Sequence, residues 1–119
     1  MNLKDKIVVI TGGTTGIGYA TAKKFCQEGA IVYACARHEK KFNDNNLFYH
    51  YLDVTNQESC KKLFEEVINK HGKIDVLIAD AGITSDGLTA KLTDEEFDKV
   101  IDTNLKGVFN IVRLVGPYM

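Results

Sequence analysis

The chain carries almost no surplus of either charge. Its 119 residues hold 15 Lys and Arg against 16 Asp and Glu, a net charge of −1. Such a balance, with both signs interspersed, offers no electrostatic footprint for nucleic acid or for an anionic membrane surface. No apolar run approaches the roughly 20 residues that a membrane span requires. The opening Met1-Asn2-Leu3-Lys4-Asp5-Lys6 lacks the apolar core of a signal peptide. The expectation is a cytoplasmic protein with neither nucleic acid nor membrane as partner. Cysteine is sparse: Cys26, Cys35 and Cys60 are odd in number, far apart, and form no C-x-x-C. Neither zinc nor a redox pair is signalled, and reduced, buried thiols are expected. His38, His50 and His71 have no metal-ligand spacing, so no metal site is expected. No internal repeat or low-complexity linker occurs, and residues 1–119 read as part of one domain with one core.

What is present is alternation. Strand signals fall at residues 6–11, 30–36, 47–53 and 74–79, with helix signals between most of them. In the third connection, Thr55-Asn56-Gln57-Glu58 reads as a capping box, a hydroxyl followed three residues later by Glu. Cys60, Leu63, Phe64, Val67 and Ile68 then recur at helical spacing, and Gly72 ends the helix. Residues 37–46 are short and polar and read as a loop or a stunted helix. Strand–helix–strand order of this kind implies an α/β fold, a parallel sheet with right-handed crossovers. A second capping box, Thr93-Asp94-Glu95-Glu96, opens the last helical stretch. Phe97, Val100, Ile101, Leu105, Val108 and Val112 mark its apolar stripe, and Asn104 lies on that stripe. A buried amide left unpaired costs about 1–3 kcal/mol. Asn104 therefore needs a partner, either a functional one or the local backbone of an irregular helix near Gly107.

The densest signal is Thr11-Gly12-Gly13-Thr14-Thr15-Gly16-Ile17-Gly18, placed between the apolar run Ile7-Val8-Val9-Ile10 and a helical segment ending near Gly29. A strand, a glycine-rich turn and a helix start are the parts of a dinucleotide phosphate site. Helix N-termini leave backbone N–H groups unpaired and carry partial positive charge. Glycines let backbone approach a pyrophosphate closely. Gly12 suits the tight turn off the strand, Gly16 the phosphate contact, and Gly18 the packing of helix on strand. The spacing is T-G-x-x-x-G-x-G rather than G-x-G-x-x-G. No Lys-Ser or Lys-Thr follows the glycines, which excludes a P-loop. The first strand ends in Thr11-Gly12-Gly13 rather than an acidic pair, which excludes a Mg²⁺-dependent receiver domain.

Four features occur in order: Thr11–Gly18, Asp53-Val54, Ala79-Asp80-Ala81-Gly82, and Asn104. Together they resemble the N-terminal part of a short-chain dehydrogenase/reductase, over the whole chain. Ala81-Gly82-Ile83-Thr84-Ser85-Asp86-Gly87-Leu88, Asp94-Glu95-Glu96-Phe97 and Thr103-Asn104-Leu105 look most like the bacterial 3-oxoacyl-acyl-carrier-protein reductases. The resemblance implies a Rossmann-type parallel sheet with helices on both faces, here the first four strands in the order 3-2-1-4. It implies NAD or NADP at the C-terminal strand ends, and hydride transfer between nicotinamide and a carbonyl or alcohol. By position, Gly12, Gly13, Thr14, Thr15, Gly16, Ile17 and Gly18 would hold the pyrophosphate and adenosine ribose. Asp53 and Val54 would border the adenine, and Ala79, Ala81 and Gly82 the nicotinamide-side ribose. Asn104 would be the catalytic Asn, holding a water of the proton relay.

Two positions depart from the family pattern. Ala79 and Asp80 stand where two Asn usually precede Ala-Gly, which bears on the side-chain bonds between adjacent strands. Ala36, followed by Arg37, stands where an NAD-preferring member has an acid. A guanidinium there suits a 2′-phosphate, so NADP is the expected cofactor. The family's other frequent basic position, in the turn, is Thr15.

The family's substrate-orienting Ser and its Tyr-x-x-x-Lys lie beyond residue 119. These 119 residues are therefore expected to be inactive alone, a cofactor-binding part without the catalytic part. Tyr19-Ala20-Thr21-Ala22-Lys23 matches Y-x-x-x-K but sits on the phosphate-facing helix, away from a nicotinamide, and reads as a decoy. The implied partners are a small-molecule or acyl-carrier-linked substrate, which would place the protein in fatty acid biosynthesis, and further copies in a homo-oligomer. A strand at 74–79 left as a bare apolar edge also invites association. The competing reading is a stand-alone nucleotide-binding module without catalysis.

Overall fold

The structure, a computed structural model, describes residues 3–79, 93–101 and 107–119. Four parallel strands form one sheet: β1 (Ile7–Thr11), β2 (Ile31–Ala36), β3 (Leu47–Tyr51) and β4 (Val76–Ala79), in the spatial order β3-β2-β1-β4. This is the order expected from the sequence. All five residues of β1 are buried. A central parallel strand is covered on both faces, which is why Ile7-Val8-Val9-Ile10 is continuously apolar rather than alternating. Its β-branched side chains also suit a pleated strand.

The pleat sends alternate residues of β1 into two separate cores. Val8 and Ile10 join Val32, Ala34 and Leu47 beneath helix α1 (Gly16–Gln27), which contributes Ala22, Tyr19 and Phe25. Ile7 and Val9 join Tyr33 and Cys35 on the opposite face, with Leu63, Phe64 and Val67 of α2 (Gln57–His71). Helix α3 (Asp94–Ile101) follows β4 in the chain, and α4 (Gly107–Val115) adds Ile111 and Val115 to the second core. Each fully buried Val, Leu, Ile or Phe side chain contributes about 1.5–3 kcal/mol. A 3-10 turn, Gly116–Tyr118, follows α4. None of the described helices is long and apolar enough to cross a membrane.

Hydrogen bonds also tie the start of β1 to the residue that precedes β4. The Ile7 amide donates to Asp75 Oδ2 at 2.8 Å, and the Asp75 amide donates to the Ile7 carbonyl at 2.8 Å. That backbone donor, with Lys73 beside it, holds the Asp75 carboxyl below its ordinary value.

Helix caps differ in detail from the sequence reading. For α2 the cap is Asn56, not Thr55: Asn56 Oδ1 accepts from the Glu58 and Ser59 amides at 2.9 and 3.2 Å. Thr55 instead turns back and donates its hydroxyl to Asp53 Oδ1 at 2.6 Å. Gly72 ends α2 in the left-handed conformation as expected, its amide on the Ile68 carbonyl at 2.7 Å. At α3 the Thr93 hydroxyl accepts from the Glu96 amide at 3.1 Å. Residues 37–46 form a loop, with no helix.

The apolar stripe of the last stretch is set at a different phase. Gly107, Asn110, Ile111 and Val115 are the buried residues of α4, while Val108, Phe109 and Val112 are exposed. Residues 102–106, including Asn104 and Leu105, lie outside the described residues. Cys35 and Cys60 are buried and Cys26 is partly so; all three are free thiols.

Candidate functional site

The strand register brings the C-terminal ends to one edge of the sheet. Thr11 lies opposite Cys35 on one side and Ala79 on the other, and Ala36 lies opposite Tyr51. In open parallel sheets ligands bind at this edge.

The glycine turn leaves β1 with Gly12 at φ 73°, its amide donating to the Cys35 carbonyl at 2.8 Å. Gly16 opens α1 at φ 57°, and apart from its chain neighbours and its own helix backbone no atom lies within 4 Å of the place a Cβ would occupy there. Both values are ones that L side chains rarely adopt. Between them Gly13 is constrained by space: an added Cβ would come within 2.9 Å of Ala34 Cβ and 3.1 Å of the Ile10 carbonyl oxygen. Thr14 and Gly18 are buried, whereas Thr15, Gly16 and Ile17 face solvent. Ile17 is 81% exposed, unusual for its type.

The N-terminus of α1 has no side-chain cap. Thr15 sits at the cap position with extended backbone, makes no capping hydrogen bond, and no acidic residue occupies the first turn. Asn56 and Thr93 do cap their helices. The first amides of α1 are thus left to an outside acceptor, beside the open face of Gly16. That arrangement suits a phosphate oxygen.

The end of β2 is pinned. The Ala36 carbonyl accepts from the Leu52 amide at 3.0 Å and from Tyr49 Oη at 2.8 Å. Arg37 follows immediately and is exposed. After β3, Asp53 Oδ1 accepts from the Thr55 amide at 3.0 Å as well as from its hydroxyl, and the Asp53 amide donates to Ser59 Oγ at 2.9 Å. The Val54 carbonyl accepts from Asn110 Nδ2 at 3.2 Å. The 53–54 segment is therefore held from α2 on one side and α4 on the other.

Asn110 was not among the residues singled out in the sequence, though it is the buried amide of α4 and is only 7% exposed. The signal that finds it is the spacing Gly107, Asn110, Ile111, Leu114, Val115, one helical face with a single amide in it.

Of the residues proposed from the sequence, the structure gathers Gly12, Gly13, Thr14, Thr15, Gly16, Ile17, Gly18, Arg37, Asp53, Val54 and Ala79 at this edge. Ala81, Gly82 and Asn104 lie outside the described residues. The cysteines offer no nucleophile at neutral pH. Burial pushes the Cys26 and Cys60 thiols up to about 11, helped by Asp44 and Asp53 respectively, and drives Cys35 higher still.

The chain belongs to the short chain dehydrogenase family, whose model matches residues 6–119. It is 40% identical to the 3-oxoacyl-[acyl-carrier-protein] reductase FabG of Thermotoga maritima, over all of this chain and 52% of that protein. The chain spans about half the length of the curated relatives it matches. Among solved structures, the ligand-free aldohexose dehydrogenase of Thermoplasma acidophilum superposes with a TM-score of 0.90 at 33% identity, over 98% of this chain and 45% of that one. An NADH-dependent reductase complexed with NAD gives 0.86 at 27% identity, covering 98% and 52%. A variant of actinorhodin polyketide ketoreductase with NADPH gives 0.85 at 31% identity, covering 93% and 46%. NAD and NADPH are thus both bound by proteins of similar fold.

Proposed function

We propose that this chain is the cofactor-binding part of an NADP-dependent oxidoreductase that acts on a carbonyl or alcohol. The observation that carries the reading is the uncapped start of α1 beside the open face of Gly16, with Arg37 directly after the neighbouring strand. The bound dinucleotide would supply the hydride. The amides of residues 16–18 would take the pyrophosphate, and Arg37 the 2′-phosphate of the adenosine ribose. Asp53 and Val54 would border the adenine, held there by Ser59 and Asn110. Ala79, Ala81 and Gly82 would border the nicotinamide-side ribose, and Asn104 would hold the relay water. Similarity to 3-oxoacyl-[acyl-carrier-protein] reductases supports a 3-oxoacyl thioester as substrate and a role in fatty acid synthesis. A cytoplasmic homo-oligomer is the proposed form. The exposed apolar Val108, Phe109 and Val112 of α4 support association.

Titration of NADPH and NADH, followed by nicotinamide fluorescence, tests the cofactor assignment. NADPH should bind about tenfold or more tightly than NADH, the worth of one charge-assisted pair. Arg37→Asp should reverse the order. Equal affinities in the unaltered protein would refute the role of Arg37.

A further inference from the structure

The glycine turn carries Thr15 where a cation would help hold a 2′-phosphate, yet a cation reaches that turn from elsewhere. Lys40, in the loop at 37–46, donates from Nζ to the Thr14 carbonyl at 2.9 Å. The same ammonium lies 4.2 Å from the centroid of the Tyr19 ring. Thr14 immediately precedes the uncapped start of α1. An ammonium has three donors. One rests on Thr14 and the ring supports the charge from its face, which leaves donors for a ligand.

Tyr19 fastens the loop at three points. Its ring stacks on Phe42 with centroids 5.7 Å apart and planes 15° apart. Its hydroxyl donates to Asp44 Oδ2 at 3.4 Å. Lys40 covers its face. Arg37 stands at the start of this same loop, on the exposed end of β2. The clasp therefore fixes a second cation on the glycine turn, carried by the same loop that Arg37 opens. The charges nearby are Lys23, whose Nζ is 5.5 Å from the Tyr19 ring, Asp44 on the hydroxyl, and Glu39 and Lys41 on either side of Lys40 in sequence.

We propose that Lys40 is a second specificity-determining residue for the 2′-phosphate, acting with Arg37, and that Tyr19 is the positioning residue that seats it. The inference rests on the NADP reading above. It also assigns the Y-x-x-x-K tyrosine a role in reading the cofactor rather than in proton transfer.

Calorimetric titration of the intact protein with adenosine 2′,5′-bisphosphate and with 5′-AMP tests it, because the two probes differ only at the 2′ position. Lys40→Met should weaken the bisphosphate by about tenfold and leave 5′-AMP within about twofold. Tyr19→Leu should show the same selective loss to a smaller extent, and Tyr19→Phe should retain selectivity. Circular dichroism confirms that each variant is folded. Equal weakening of both probes by Lys40→Met would reduce Lys40 to a loop anchor and overturn the proposal. So would no change in either probe. If Arg37→Asp abolishes the preference while Lys40→Met leaves it intact, the NADP reading stands and the Lys40 assignment falls. If the unaltered protein binds neither probe, both fall.

Discussion

Gly13→Ala should destabilise the protein, and the size of the effect follows from one contact. The new methyl would stand 2.9 Å from Ala34 Cβ, 3.1 Å from Ala34 Cα and 3.1 Å from the Ile10 carbonyl oxygen. Carbon–carbon contacts are optimal at about 3.5–4.0 Å, so the overlap is roughly 0.6 Å or more. None of these atoms is the free end of a long side chain. Ala34 is fully buried and belongs to β2, which is hydrogen-bonded to β1 on one side and β3 on the other. Relief requires the turn to move relative to a paired strand. Overpacking of this kind costs about 1–3 kcal/mol. Gly13 does not have positive φ, so alanine would recover about 0.4–1 kcal/mol by restricting the unfolded chain. The net loss is about 1–2 kcal/mol. For a chain of this size that is a fall of roughly 4–10 °C in Tm. Urea unfolding should show a lower midpoint with an unchanged slope. Ala34→Gly removes the opposing methyl. In a double-mutant cycle the pair should be less destabilised than the sum of the singles by about 1 kcal/mol. A Gly13→Ala variant as stable as the parent, or a cycle with no coupling, would refute the steric assignment.

Two further outcomes follow from one buried and one partly buried polar group. Asn110→Ala removes the side-chain donor to the Val54 carbonyl and should cost about 1–3 kcal/mol by chemical denaturation. It should also weaken NADPH through the loosened 53–54 segment; unchanged stability would show that the bond contributes nothing. His71 accepts or donates at 2.6 Å to Tyr33 Oη, and burial, then Lys70, lowers its pKa from the ordinary 6.5. Because the folded state resists protonation, this contribution is complete above pH 6.5 and is lost as pH falls from there through the lower folded value. His71→Gln should flatten that part of the stability profile, and an identical slope in the variant would contradict the assignment.

The elements that were legible in the sequence are those whose pattern admits one solution. β1 is apolar at every position from Ile7 to Ile10, and only a strand covered on both faces fits so short a run beside a glycine turn. α2 shows a single stripe ending in Gly72. α4 was less legible because apolar residues occupy more than one of its faces. Val108 and Val112 continue the spacing from Phe97, while Ile111 and Val115 form the buried face. Periodicity cannot choose between two apolar stripes; the contact with α2 and the Val54 carbonyl does. Asn56 displaced Thr55 as cap because Thr55 is engaged by Asp53, a choice set two residues upstream. The reach of Lys40 to Thr14 spans 26 residues of sequence, and no local pattern encodes it.

The most direct measurement of the central claim is the amide NMR spectrum of the ¹⁵N-labelled protein during titration with NADPH. The amides of Gly16, Ile17 and Gly18 should shift most, saturably, with Thr14 and Arg37 beside them. Glu65 on the exposed face of α2 should stay fixed. Saturable binding that leaves residues 16–18 unmoved, or no binding at all, would contradict the assignment of the glycine turn as the pyrophosphate seat.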